Sequence, residues 1–200
     1  MAAPIDFYFD FSSPYGYLAA HVIDDLAARH GRTVAWRPML LGAVFKVSGQ
    51  QPLLNIPLKG DYAKRDLPRT ARLLGLPFTM PEQFPFMSVA ACRAFYWLVD
   101  EDPAAARALA LALYDRAFAE GQAIAQAPDV AAVAASLGLD PETVRAALQD
   151  PAVKDRLRTE VDAAIERGVF GSPFIFVDDE PFWGVDHLSQ VERWLETGGW

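Results

Sequence analysis

A single cysteine, Cys92, in a chain of 200 residues leaves no partner for an internal disulfide, no Cys-x-x-Cys redox pair and no cysteine zinc cluster. That scarcity points to an intracellular, cytoplasmic protein. The three histidines, His21, His30 and His187, stand too far apart for metal-ligand spacing and read as surface or packing residues. No apolar stretch is long enough to span a bilayer, and no basic start with an apolar run precedes Ile5, so neither a membrane span nor an export signal is expected. Basic residues are the minority, 18 Lys and Arg against 26 Asp and Glu, and the resulting net charge of −8 argues against nucleic acid or an anionic membrane as partner. An anionic ligand would have to be met by local basic groups.

What the chain does have is apolar mass: 52% hydrophobic residues and five tryptophans, enough to bury a full core in one domain or a small domain with an insertion. Residues 5–9 alternate as a buried strand does, with Ile5, Phe7 and Phe9 set against Asp6 and Tyr8. The Ser12-Ser13-Pro14 that follows starts a helix, with Ser13 as N-cap and Pro14 at the first helical position, where its missing N–H costs nothing. Leu18, Val22, Ile23 and Leu26 form the inner stripe of this helix, and Gly31 stops it. Its unpaired N–H groups and positive dipole end point at whatever sits beside Ser13, which suits an anion. Ser-Pro is also a common plain helix start, so the rest of the chain has to decide between the two readings.

A second strand, Thr33 to Trp36, follows closely enough to make a right-handed β-α-β unit, and Arg37-Pro38 ends it. From Met39 to Gly60 the chain is rich in Gly and Pro and lacks periodicity; with Lys46, Gln50, Gln51 and Lys59 it reads as an ordered loop over a site. Residues 61–164 are nearly all helical. Their segments run from Asp61 to Leu74, with Pro68 expected to break or kink it, then Ser88 to Val99, Pro103 to Ala119, Ala127 to Leu137, Pro141 to Leu148 and Pro151 to Arg167. A proline-rich connection carrying Phe78, Phe84 and Phe86 lies between the first two. Strands return at Phe174 to Val177 and Glu180 to Trp183 around an Asp178-Asp179 turn, and a last helix starts near Asp186 and ends at Gly198-Gly199. The order is that of an α/β thioredoxin-like fold (β-α-β, then a β-hairpin and helix) with a large all-helical insertion. On this reading residues 1–60 and 165–200 form the thioredoxin-like domain and 61–164 the helical insertion.

The Asp10-Phe11-Ser12-Ser13-Pro14-Tyr15 start and the Phe170-Gly-Ser-Pro-Phe174 element before a strand resemble the Dsb-type thioredoxin-like superfamily. Within it, the chain looks like the 2-hydroxychromene-2-carboxylate isomerase and kappa-class glutathione transferase family. The similarity spans essentially the whole chain, including Trp36-Arg37-Pro38, Pro57-Leu58-Lys59-Gly60 and Phe182-Trp183-Gly184-x-Asp186.

This resemblance implies that Ser13 takes the place of the first redox cysteine and supports the thiol of bound glutathione, in a tetrad reading Ser13-Pro14-Tyr15-Gly16. It further implies a cis Pro173 that leaves the backbone of Ser172 free to pair with the cysteinyl unit. Gly184-Val185-Asp186 would take the γ-glutamyl end at a helix start, although Val185 replaces a usually polar residue. Gln50 falls where the family often has Asn, and Lys59 fits its basic residue near the glycyl carboxylate or substrate. Lys46, Arg37 and Arg93 are equally well read as solvated or structural. A homodimer follows from the resemblance alone.

The central task implied is thiol activation. A free thiol with pKa near about 8.5 is only a few per cent thiolate at neutral pH. A helix N-terminus contributes about 0.3 to 2 kcal/mol and a hydrogen bond to a charged group about 1.5 to 3 kcal/mol, before desolvation, which opposes both. Together they amount to about 1.5 to 3.5 pK units. Ser13 is expected to donate its O–H to the sulfur and not to act as a nucleophile, since no histidine base is identifiable beside it. In the implied reaction the thiolate adds reversibly to a conjugated aromatic 2-oxo acid, the resulting single bond rotates, and elimination returns glutathione and the trans isomer. Phe78, Phe84, Phe86 and Trp183 are candidates for an aromatic wall around that small aromatic carboxylate, or are ordinary core. The alternatives are a kappa-like transferase that conjugates electrophiles, and a non-catalytic glutathione-binding or dimer-forming protein. A disulfide oxidoreductase is opposed by the missing cysteine pair.

Overall fold

The computed structural model describes residues 3–200; residues 1 and 2 of the expected first segment lie outside it. Four strands form one mixed sheet in the order β2-β1-β3-β4. Strand β1 (Ile5–Phe9) pairs in parallel with β2 (Val34–Pro38) in the register Ile5 to Val34, and antiparallel with β3 (Phe174–Val177) in the register Phe7 to Ile175. Strand β4 (Glu180–Trp183) closes the hairpin against β3. Because β1 is central, its alternation does not divide inside from outside: Phe7 and Phe9 are buried on one face and Tyr8 on the other. Phe9 meets Trp36 edge-on at 5.4 Å between ring centroids, while Tyr8 meets Phe176 at 5.9 Å. The hairpin turns through Asp178 and Asp179, whose φ angles of 50° and 71° suit a tight turn with two left-handed residues.

The crossover between β1 and β2 is two helices, α1 (Pro14–Ala20) and α2 (Ile23–Arg29), where the sequence pattern suggests one. The break falls at His21-Val22, where the His21 ring packs on Tyr17 and its Nε2 sits 2.9 Å from Asp115. Residues from a segment almost a hundred positions away thus surround the break, which local periodicity does not register. The expected loop after β2 contains a helix, α3 (Leu41–Ser48), whose N-cap residue Leu40 provides no side-chain cap. The cap comes from Asp10 instead, whose Oδ2 accepts the Leu41 N–H at 2.6 Å. Strand β2 also runs through Arg37-Pro38 and does not stop before it.

Helix α4 (Lys59–Leu73) begins two residues earlier than expected and continues through Pro68. The carbonyl that Pro68 leaves unpaired belongs to Lys64, an exposed residue, so water can satisfy it. Helices α5 (Val89–Leu98), α6 (Pro103–Tyr114), α7 (Ala127–Ser136), α8 (Pro141–Gln149) and α9 (Pro151–Glu166) follow. The expected single helix from Pro103 to Ala119 ends as an α-helix at Tyr114 and finishes as a wider π turn, Asp115–Ala119. After β4 a 3-10 turn, Val185–His187, leads into α10 (Leu188–Thr197), which lays Leu188 and Val191 on the sheet.

The helical block is joined to the sheet by aromatic packing and by tyrosine hydroxyls. Phe95 of α5 and Tyr114 of α6 lie 6.2 and 5.8 Å from Phe9. Tyr114 donates to the carbonyl of Asp10, Tyr96 to that of Pro38 and Tyr17 to that of Pro77, at 2.9, 2.8 and 2.7 Å. These carbonyls lie where regular structure ends, and at the buried Asp10 and Pro38 the hydroxyls satisfy acceptors that burial would otherwise leave unpaired.

Candidate active site

The site grows from the end of β1. Ser13, only 4% exposed, caps α1: its Oγ accepts the Gly16 N–H at 3.0 Å. The same oxygen donates to the carbonyl of Ser172 at 3.0 Å. The Ser172-Pro173 peptide is cis, and the Ser172 hydroxyl accepts the Asp10 N–H at 3.0 Å. One residue further, the Pro173 carbonyl takes the Gly184 N–H at 3.0 Å, which ties the Val185-Asp186 turn to the same corner. Ser13, Ser172, Pro173, Val185 and Asp186 are therefore brought to one place by three chain segments. Val185 is buried, while the Asp186 carboxylate is 79% exposed.

Lys59 opens α4, which packs against α1 through a hydrogen bond from the Tyr15 hydroxyl to Asp66 at 2.8 Å. It is exposed, and among the described residues no ion pair or side-chain hydrogen bond engages it. The residue before it, Leu58, has a φ of 68° and is 85% exposed; the Lys59 N–H closes a three-residue turn onto the Pro57 carbonyl at 2.8 Å. Gln50 is exposed in the loop after α3, with no hydrogen bond joining it to Ser13. Arg37 is committed to Asp6 at 2.6 Å and Arg93 to the Leu148 carbonyl at 3.2 Å, so both are structural.

The expected aromatic wall divides. Phe78, Phe84 and Phe86 gather around the buried Phe118, between 6.1 and 6.3 Å from its ring, and belong to the core. Trp183 is half exposed, packs on Phe170 at 4.9 Å and covers Gly171, beside the Gly184 turn.

Asp10 was not singled out by sequence, although an acidic residue between Phe9 and Phe11 at a strand end is the signal. Its carboxylate accepts the Ser12 N–H and O–H at 2.7 and 2.9 Å and the Leu41 N–H, with Ser88 also against it. Burial pushes its pKa up, against the opposing effect of these hydrogen bonds. Tyr15 is likewise held protonated, first by burial and then by its bond to Asp66. Asp66 is held below the usual carboxylate range because hydrogen bonds from Tyr15, Arg69 and Tyr62 outweigh its burial. No histidine hydrogen-bonds to Ser13, and Cys92 is buried with its thiol pushed far up, so neither a serine–histidine pair nor a reactive thiol is present among the described residues.

A serine-capped helix facing a cis-proline corner across a mixed four-stranded sheet, with helices between β2 and β3, defines a thioredoxin-like protein of the Dsb type without its cysteines. A family model described as a DSBA-like thioredoxin domain matches residues 4–196. The chain is 34% identical over 197 residues to 2-hydroxychromene-2-carboxylate isomerase of Sphingobium xenophagum, covering 98% of this chain and 99% of that one. It is 28% identical over 204 residues to glutathione S-transferase kappa 1 of Caenorhabditis elegans, covering 96% and 90%. A solved 2-hydroxychromene-2-carboxylate isomerase superposes with a TM-score of 0.87 at 33% identity, covering 96% of this chain and 94% of that one. The chain belongs to the 2-hydroxychromene-2-carboxylate isomerase family of DSBA-like thioredoxin proteins.

Proposed function

We propose that this protein is a glutathione-dependent isomerase that interconverts 2-hydroxychromene-2-carboxylate and trans-o-hydroxybenzylidenepyruvate, or a related aromatic 2-oxo acid. The observation that carries the reading is the Ser13 hydroxyl, held by backbone on two sides in a helix-start tetrad that contains no thiol of its own. The charges around it suit a tripeptide: the exposed Asp186 carboxylate for its amine, and the unengaged Lys59 ammonium for its carboxylate. Ser172, Pro173 and Val185 would line the middle of such a ligand, with Gln50 at the loop beyond.

When bound, glutathione supplies the thiolate that makes a conjugated double bond transiently single. Ser13 keeps that sulfur ionised by donating its proton as a hydrogen bond, while the cap from Gly16 holds its oxygen still. Without a base beside it Ser13 stays a donor and not a nucleophile. Trp183 offers an apolar face to an aromatic substrate. We place the protein in the cytoplasm as a homodimer, a reading supported by its single cysteine and by the family resemblance.

The kappa-class relative keeps a second reading in view, irreversible conjugation of electrophiles. Adding glutathione should raise the ultraviolet absorbance of a bound thiolate at neutral pH. Isomerisation of the chromene acid, with no loss of glutathione, should then exceed conjugation of a chloronitrobenzene; the reverse order would assign the protein to the transferases. Absence of any thiolate signal would refute both.

A further inference from the structure

The Ser13 hydroxyl has one proton, and the structure shows it already spent on the Ser172 carbonyl. Its oxygen is held in place by a second hydrogen bond. It receives the Gly16 N–H, and the space beside Gly16 is filled: a Cβ there would stand 2.5 Å from the Tyr114 hydroxyl and 2.9 Å from Ser172 Oγ. Ser172 is equally fixed, by the Asp10 N–H on its hydroxyl and by the Gly184 N–H on the carbonyl of the next residue. The freedom left is rotation of the O–H about the Cβ–Oγ bond. If the proton swings towards a ligand's sulfur, the partly buried Ser172 carbonyl loses its donor, which is costly unless another replaces it. A ligand that brings the sulfur can bring that replacement with it. In a cysteinyl residue the backbone N–H is three bonds from the sulfur, close enough for both to reach one hydroxyl's surroundings.

We propose that the Ser172 carbonyl is a lock on Ser13: the hydroxyl turns to a ligand's sulfur only when that ligand places an amide N–H on the carbonyl, so the site activates peptidyl thiols and leaves simple thiols un-ionised. The inference rests on the glutathione reading and adds a selection step to it. Ser172 acts here as a positioning residue, through its main chain.

The test compares glutathione with its ester analogue, in which oxygen replaces the N–H of the γ-glutamyl–cysteinyl amide, by titrating the bound thiol through its ultraviolet absorbance. With the native protein the ester's thiol should titrate about 1 to 2 pK units above that of glutathione. In a Ser13→Ala variant the two should titrate together, because no hydroxyl remains to be released. Equal titration of the two ligands on the native protein, with glutathione lowered, overturns the lock and leaves the function standing. So does failure of the ester to bind at concentrations that saturate the Ala variant. Glutathione titrating as it does in buffer removes the function, and the lock with it.

Discussion

Replacing Ser13 by Ala separates the two tasks its hydroxyl performs. As a cap it receives the Gly16 N–H, worth about 0.5 to 2 kcal/mol, and its loss also leaves the Ser172 carbonyl without a donor, about 1 kcal/mol more. The combined loss, about 1.5 to 3 kcal/mol, lowers the melting temperature by about 3 to 12 °C in a chain of this size, which leaves a folded protein at 25 °C. The functional loss is distinct. A hydrogen bond to a thiolate at about 1.5 to 3 kcal/mol corresponds to about 1 to 2 pK units. With the helix terminus and desolvation, which oppose each other, taken to cancel, removing it returns a bound thiol from about 6.5–7.5 to about 8.5, so the ionised fraction at pH 7 falls from about 25–75% to about 3%. Turnover limited by thiolate then drops about 8- to 25-fold at pH 7, and recovers as the pH passes about 9, where both proteins hold an ionised sulfur. Absorbance titration of the bound thiol, with the pH profile of kcat, reads both effects. A loss that persists at high pH, or a thiol pKa unmoved by the substitution, would refute the role given to Ser13, because damage to the fold does not reverse with alkali.

Gly16→Ala should improve intrinsic helix propensity by about 1 kcal/mol, yet the new methyl meets the Tyr114 and Ser172 hydroxyls at 2.5 and 2.9 Å, so urea unfolding should show a net loss of about 1 to 3 kcal/mol together with lost activity; a stabilised, active variant would contradict the packing described. Asp10, with a folded pKa raised above the ordinary carboxylate value of about 3.9, binds its proton more tightly when folded. Its contribution is therefore fully present below that value and is lost as the pH rises through the elevated one. Measured against Asp10→Asn, the native protein's relative stability should fall with pH across that window, and a flat difference would disprove the shift. Lys59→Ala, at an exposed residue without side-chain partners among the described residues, should change stability by less than about 0.5 kcal/mol while raising the KM for glutathione, and an unchanged KM would remove Lys59 from the ligand site.

Where the information is local, the sequence is readable. The Ser13-Pro14 cap, the β3-β4 hairpin with its two aspartates, and the proline starts of α6, α8 and α9 each need only a few neighbouring residues, and each stands where the pattern puts it. The errors share a different cause. Helix α3 is capped by a carboxylate 31 positions away, and the α1-α2 break falls at His21, against which Asp115 lies. Pro68 survives inside α4 because that helix shows one side to water, which depends on what the other side packs against. Of the aromatic residues, Phe84 and Trp183 look alike as symbols, and only packing around Phe118 separates core from surface.

Asp10 is the same lesson at the site itself. Its carboxylate gathers donors from the Ser12 turn and from the start of α3, and Ser88, at the start of α5, lies against it; its own backbone receives Tyr114 and gives to Ser172. An uncompensated carboxylate in an apolar setting would be expelled or neutralised, so its retention requires those donors to be in place together. The requirement runs in both directions: once they converge on Asp10, the turn that presents Ser13 can no longer move independently of the helices between β2 and β3. Those helices are thus part of what holds the hydroxyl still. A change at Tyr114 or Ser88 should therefore be felt at the bound thiol, although neither side chain needs to touch it.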